Sequence, residues 1–428
     1  MTMMISRRAL MGGIALSGAG ALLPRAALAW KSGEAALYPA TDAFISGFVD
    51  RRELAGTLAA IGKGQGAAAI FGAGTQAMDS TTPVGPDSLW RLYSMTKPVT
   101  GMAAMILVEE GRMALDQPIA DFLPAFARMK VQNTPDGSIA DVRPARTLIT
   151  VRHLLTHSAG LGYNIIQKGP IRDAYNAAGI VGGQVSRLTL PGFPVAKAAP
   201  SLAEFADRLA RLPLVHEPGT RWSYSVGLDL LGRVIEVASG QAFDAFLKAR
   251  LFDPLGMKST GFRVPAAEVG RFTTNYAPLG GVLLPIDPAT SSIYLDPPPI
   301  AFGGGGLVSS ARDYDRFLAM LLGEGETGGV RIMKPETARL AMSNLLPDGV
   351  DTKGTFVEGE GFGAGGRVSL PSSATGEGVF GWGGAAGTIA FVDRKRGYRV
   401  GGYAQYMPAE ALPFQRDLGK AFYKDVMA

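Results

Sequence analysis

The chain has 428 residues, 47% of them hydrophobic and 18% charged. That is enough apolar side chain to bury a large core, in one catalytic unit with a nested subdomain or in two or three domains. The absence of cysteine excludes disulfides, thiolate catalysis and cysteine metal sites, and it leaves the redox compartment open. The formal charge of +5 falls by three, to +2, once Arg7, Arg8 and Arg25 are set aside with an N-terminal leader, and so small an excess is no nucleic-acid footprint.

Residues 1–29 read as that leader. Arg7 and Arg8 precede the apolar run GGIALSGAGALL, and Ala27 and Ala29 supply the small residues a signal peptidase accepts, so a twin-arginine-like signal and a periplasmic or secreted protein are expected. The run is too short to span a bilayer, and no stable membrane span is expected. Residues 66–74, GAAAIFGAG, form a short glycine-punctuated apolar run that suits a buried strand. From Ser94 onward Val99, Met102, Ala103, Met105, Ile106 and Leu107 recur with helical period; Pro98 lies in the first turn and Gly111 follows the last, so a helix is predicted to begin at about Ser94.

Further helices are predicted over residues 202–212, 227–239 and 243–251, separated by Pro- and Gly-rich loops such as LDPPPIAFGGGG. Near the C-terminus AGTIAFVD and YRVGGYAQY read as a strand pair, with Arg394, Lys395 and Arg396 at a solvated hairpin tip. A terminal helix follows in ALPFQRDLGKAFYKDVM. Strands at both ends with helical patterning between them predict a mixed α/β (α+β) fold. One sheet would be built from residues of about 36–110 and 300–428, with a mostly helical part at about 111–299.

The chemistry is concentrated in RLYSMTKPVT, which holds the chain's single S-x-x-K, Ser94 and Lys97. At i and i+3 of a helix start, a hydroxyl and an amine share a face while first-turn N–H groups converge near the serine. A nucleophile, a base and an oxyanion donor then fit in one turn. The amine serves as base only where burial or a positive field favours its neutral form. Tyr224, between the Pro218-Gly219 turn and an apolar helix, is a phenol able to share the proton. GWGGAAGTIAF allows close backbone approach, with Gly383, Gly384 and the Ala385 N–H as candidates for a second oxyanion donor.

These three elements, in this order, resemble the serine β-lactamase and penicillin-binding protein superfamily, specifically the branch often called family VIII carboxylesterases. Ser94-Met95-Thr96-Lys97, Tyr224-Ser225-Val226 and Trp382-Gly383-Gly384 carry the resemblance, supported by ITVRHLLTHSAGL, FDPLGMKSTGF and GGLVSSARDYDRFLAMLL. The resemblance implies a β-lactamase/transpeptidase-like fold and Ser94 as the acylated nucleophile. It further implies that Lys97 and Tyr224 share general base and acid roles, that the N–H groups of Ser94 and Ala385 form an oxyanion hole, and that no cofactor is needed.

Two departures bear on substrate. The most similar β-lactamases usually carry Asn at the place of Val226 and Lys at the place of Trp382. Apolar groups at both positions suit an uncharged acyl or alkoxy group better than an anionic lactam. The expected activity is hydrolysis of small-molecule esters of short acids, with Trp382, Gly383, Gly384 and Val226 as substrate contacts. The alternatives are a D-amino-acid or peptidoglycan peptidase, an acyltransferase, a weak β-lactamase, or a non-catalytic sensor. His153 and His157 stand i and i+4, yet with no HExxH and only His216 besides they read as a helix start rather than a metal site. GFGAGG has the letters of a dinucleotide loop but no βαβ setting, and no G-x-S-x-G occurs.

Overall fold

The computed structural model describes residues 29–31, 33–188, 197–279 and 282–427; the leader expected over residues 1–29 thus lies, apart from Ala29, outside the described residues. An eight-stranded antiparallel sheet forms the centre. Its strands are β1 (Ala29–Lys31), β2 (Gly56–Lys63), β3 (Ala69–Gly74), β4 (Gly361–Phe362), β5 (Arg367–Val368), β6 (Val379–Gly383), β7 (Ile389–Asp393) and β8 (Tyr398–Tyr403). They lie in the order β1-β3-β2-β8-β7-β6-β5-β4. The two ends of the chain meet where β8 pairs with β2, Val400 opposite Ile61. The hairpin of β7 and β8 turns through residues 394–397 with Gly397 at φ 73°, a left-handed conformation that glycine adopts without a Cβ penalty.

Alternation along β2 explains why it is apolar throughout. Ala59 and Ile61 pack with α1 (Pro39–Asp50) and α8 (Phe414–Val426) on one face, whereas Leu58 and Ala60 join the core on the other. Both faces are therefore covered by helices. Between the sheet halves run α2 (Thr96–Glu109), α3 (Val151–Leu155), α4 (Leu202–Leu209), α5 (Gly227–Ser239), α6 (Phe243–Leu247) and α7 (Ala311–Leu322). The predicted helix over residues 243–251 is α for its first five residues and continues as a π-helical turn, Lys248–Phe252. The middle of the chain also contains two strand pairs without clear alternation in sequence, Lys130–Gln132 with Val142–Pro144 and Asn275–Leu279 with Val282–Asp287.

Helix α2 is the central pillar: every residue from Thr96 to Leu107 is buried. Its glycine admits a neighbouring backbone. A Cβ on Gly101 would stand 2.1 Å from the Ala364 carbonyl oxygen, and one on Gly365 (φ 76°) would stand 2.3 Å from that of Lys97. GFGAGG is thus a tight turn between β4 and β5 seated on the first turns of α2, which accounts for its glycines structurally.

Candidate active site

Ser94 is held by what surrounds it in sequence. Leu89–Arg91 pairs with Val308–Ser310, the chain turns sharply at Tyr93 (φ 44°), a 3-10 turn covers Tyr93–Met95, and α2 begins at Thr96. A non-glycine residue at positive φ is a strained conformation that its surroundings must enforce. Here Tyr314 donates to the Met95 carbonyl at 2.8 Å, and Thr96 Oγ1 accepts from the Leu307 N–H at 3.1 Å. Among residues 88–107 only Ser94 escapes full burial, so the turn presents one hydroxyl to the outside.

Two side chains converge on that hydroxyl. Lys97 Nζ lies 3.1 Å and the Tyr224 hydroxyl 2.7 Å from Ser94 Oγ. Lys97 is fully buried. Its ammonium also donates to the Gly304 carbonyl at 2.6 Å and lies 4.5 Å from the centroid of the Tyr224 ring. Tyr224 is placed from behind by the loop after α3. The Ser223 N–H donates to the His157 carbonyl at 2.9 Å, the Ser225 N–H to His157 Nδ1 at 3.2 Å, and the Val226 N–H to the Gly162 carbonyl at 3.2 Å. Because Nδ1 accepts, the His157 proton sits on Nε2. Burial, then the charge of Lys97, holds this histidine well below its ordinary pKa, so it is neutral and acts as a spacer rather than a base.

Of the sequence-predicted residues, Ser94, Lys97, Tyr224 and Trp382 are joined by hydrogen bonds, whereas Val226 is turned away. Trp382 is half-buried, and its Nε1 donates to the Tyr224 oxygen at 3.2 Å. The end of β6 packs on the 3-10 turn because Gly384 lies against the Leu92 carbonyl, where a Cβ would come within 2.1 Å; Ala385 next to it is exposed. Val226 is fully buried and precedes the first turn of α5, so it supports Tyr224 from the core instead of meeting a substrate.

Apart from Trp382, sequence reading missed the aromatic surround and the polar floor. Trp222, Tyr163, His157, Phe356 and Trp382 all have ring centroids between 4.7 and 6.1 Å from that of Tyr224, and Phe356 is 61% exposed at the rim. On the floor, Asp229 Oδ1 accepts from the Gly304 N–H at 2.8 Å. The available signals were an acid in the otherwise apolar GLDLLG and the four glycines at residues 303–306. His153 caps α3 through Thr150, as the helix-start reading expected. Among the described residues no group of three or more His, Asp or Glu side chains is placed to hold a metal, and no helix is long and apolar enough to cross a membrane.

A family model described as Beta-lactamase matches residues 41–421. An uncharacterized protein of Mycobacterium tuberculosis is 36% identical over 326 residues, covering 74% of this chain and 77% of its own length. Esterase EstB of Burkholderia gladioli is 34% identical over 339 residues, with the same coverages of 74% and 77%. Among solved structures, EstCE1, described as a hydrolase with promiscuous acyltransferase activity, superposes with a TM-score of 0.73 at 24% identity, over 92% of this chain and 99% of that one. The superposition identifies the fold as β-lactamase/transpeptidase-like.

Proposed function

Because the chain belongs to the beta-lactamase family and is a serine hydrolase of that fold, we propose that it cleaves uncharged esters of short-chain acids through an acyl-enzyme on Ser94. The observation that carries this reading is the convergence of Lys97 Nζ and the Tyr224 hydroxyl on Ser94 Oγ, at 3.1 and 2.7 Å. In the proposed reaction Oγ attacks the ester carbonyl while the Lys97-Tyr224 pair takes its proton. The tetrahedral oxyanion is met by the N–H groups of Ser94 and Ala385. Tyr224 returns the proton to the leaving alkoxide as the C–O bond breaks, and water then repeats the sequence, releasing the acid and regenerating Ser94.

The ester preference follows from the surroundings. Trp382 offers an indole edge where an anionic lactam would need a cation, and Phe356 extends the apolar rim. A carboxylate entering such a site sheds water without compensation. Gly383 and Gly384 complete the wall beside Ala385. Export through the N-terminal leader belongs to the same reading, which places the enzyme in the periplasm or outside the cell.

The deciding experiment incubates the protein with p-nitrophenyl butyrate and with penicillin G, then measures intact mass and turnover. A butyryl adduct on Ser94 and a much higher kcat/KM for the ester are expected. A preference for penicillin would overturn the esterase reading.

A further inference from the structure

Helix α5 opens GLDLLG, and its acid is nearly inaccessible at 1% exposure. A carboxylate inside an apolar helix is costly unless something meets its charge. Only one oxygen finds a hydrogen bond, Oδ1 with the Gly304 N–H at 2.8 Å. Oδ2 is buried with no hydrogen-bond partner among the described residues. The charged group that acts on this carboxylate is the Lys97 ammonium. Gly304 joins the two, since its N–H donates to Asp229 while its carbonyl accepts from Lys97 Nζ at 2.6 Å. A Cβ on Gly304 would stand 2.5 Å from Asp229 Oδ2, so a larger residue there must push the carboxylate aside. Thr100 pins the preceding residue by donating to the Gly303 carbonyl at 2.7 Å.

The contacts of the buried amine are neutral groups, Ser94 Oγ, the Gly304 carbonyl, and the faces of Tyr224 and Tyr163 at 4.5 and 5.9 Å, and the Asp229 charge acts on it without a direct ion pair. We propose that Asp229 is a positioning residue for Lys97, holding the amine on Ser94 through Gly304, and that its negative charge determines the pH range in which the amine takes the Ser94 proton. The inference rests on the serine-esterase reading of Ser94. A negative charge near an amine favours its protonated form, and removing that charge favours the free amine.

The groups facing Asp229 are few. Lys97 comes from α2 and Tyr163 from the loop after α3, its hydroxyl held protonated by burial and then by the Asp229 charge. His157, behind Lys97, is neutral. Of the other helices packed on α5, α4 and α6 bury only apolar residues, Leu202, Phe205, Ala206 and Leu209 from the one and Phe243, Phe246 and Leu247 from the other. Helix α3 brings Arg152, paired with Asp116, and the buried His153, which burial holds below its ordinary pKa and so neutral. Burial, opposed by the Lys97 charge and the Gly304 N–H, lifts the Asp229 carboxyl to about 6, so its charge is present at neutral pH and fades in mild acid.

The test is kcat/KM for p-nitrophenyl butyrate from pH 4.5 to 9, using the full chain, Asp229→Asn and Gly304→Ala, with fluorophosphonate labelling of Ser94 in each. In Asp229→Asn the acid limb should move toward lower pH by about one unit, with kcat at the optimum about tenfold lower and labelling retained. Gly304→Ala, whose Cβ displaces the carboxylate, should move the limb the same way and decides the matter if Asp229→Asn does not fold. A purely structural role would lower activity at all pH values alike, so acid limbs superimposed on that of the unsubstituted protein would overturn the proposal. Failure of Ser94 to label in the unsubstituted protein would overturn the esterase reading as well.

Discussion

The ammonium of Lys97 lies over the ring of Tyr224, 4.5 Å from its centroid, while both side chains reach the same oxygen of Ser94. The contact is more than a shared hydrogen-bond partner. A cation over a phenol face is attracted by the ring quadrupole, so the two proton-handling groups hold one another in place as well as the nucleophile.

That coupling gives the first prediction. Ser94→Ala should abolish acylation, and Lys97→Ala or Tyr224→Phe should each lower kcat by roughly two or more orders of magnitude. The double variant should lose far less than the product of the two single losses, because the groups act as one unit. Steady-state kinetics on p-nitrophenyl butyrate check this, and near-normal turnover by Lys97→Ala would remove lysine from the reaction.

Substrate preference should depend on the indole of the third motif. Trp382→Lys should raise the ratio of penicillin to ester kcat/KM, by about tenfold or more if a new cation meets the lactam carboxylate. Trp382→Phe serves as the control, since it loses the bond to the Tyr224 oxygen without gaining charge. Equal ratios in the two variants would show that charge at this position is not what selects the ester.

Stability should fall in mild acid through the buried histidines. His153 is held down to about 4, chiefly by burial, against an ordinary 6.5. Between those values the unfolded chain binds a proton that the folded one refuses, so the His153 contribution is complete above pH 6.5 and lost as pH falls toward 4. The loss attributable to His153 is about 3 kcal/mol at most. Asp229, raised to about 6, works in the opposite direction over pH 6 to 4. Urea unfolding at pH 7 and pH 4.5 should therefore show a smaller pH effect in His153→Gln than in the unsubstituted protein.

The turn seated on α2 should not tolerate a methyl group. Gly365→Ala would combine a φ of 76° with a Cβ 2.3 Å from the Lys97 carbonyl, and a loss of about 2 kcal/mol or more is expected. Denaturant midpoints measure it. Gly111→Ala has the same φ sign at 68° but open space, so it should lose less.

Export has a direct check. N-terminal sequencing of the secreted protein should begin near Trp30. Recovery of only the full-length chain from cytoplasm would reject the leader.

Periodicity, turn residues and motif spacing were enough to read off α2, α5, the β7-β8 hairpin and the terminal helix, because their apolar spacing and terminating residues are local to each segment. Ser94 and Lys97 were legible because a helix start places i and i+3 together, and Tyr224 because the three motifs in order resemble a known family. What local pattern could not decide is whatever two distant segments make jointly. Val226 lies two residues after Tyr224 in sequence, yet the packing of α5 against the loop after α3 turns it into the core. Asp229 and Gly304 stand 75 residues apart, and neither has a local reason to be what it is. The acid becomes intelligible only when the fold lays a backbone N–H and a buried ammonium beside it, because a charge removed from water is set by its neighbours in space and not by those along the chain.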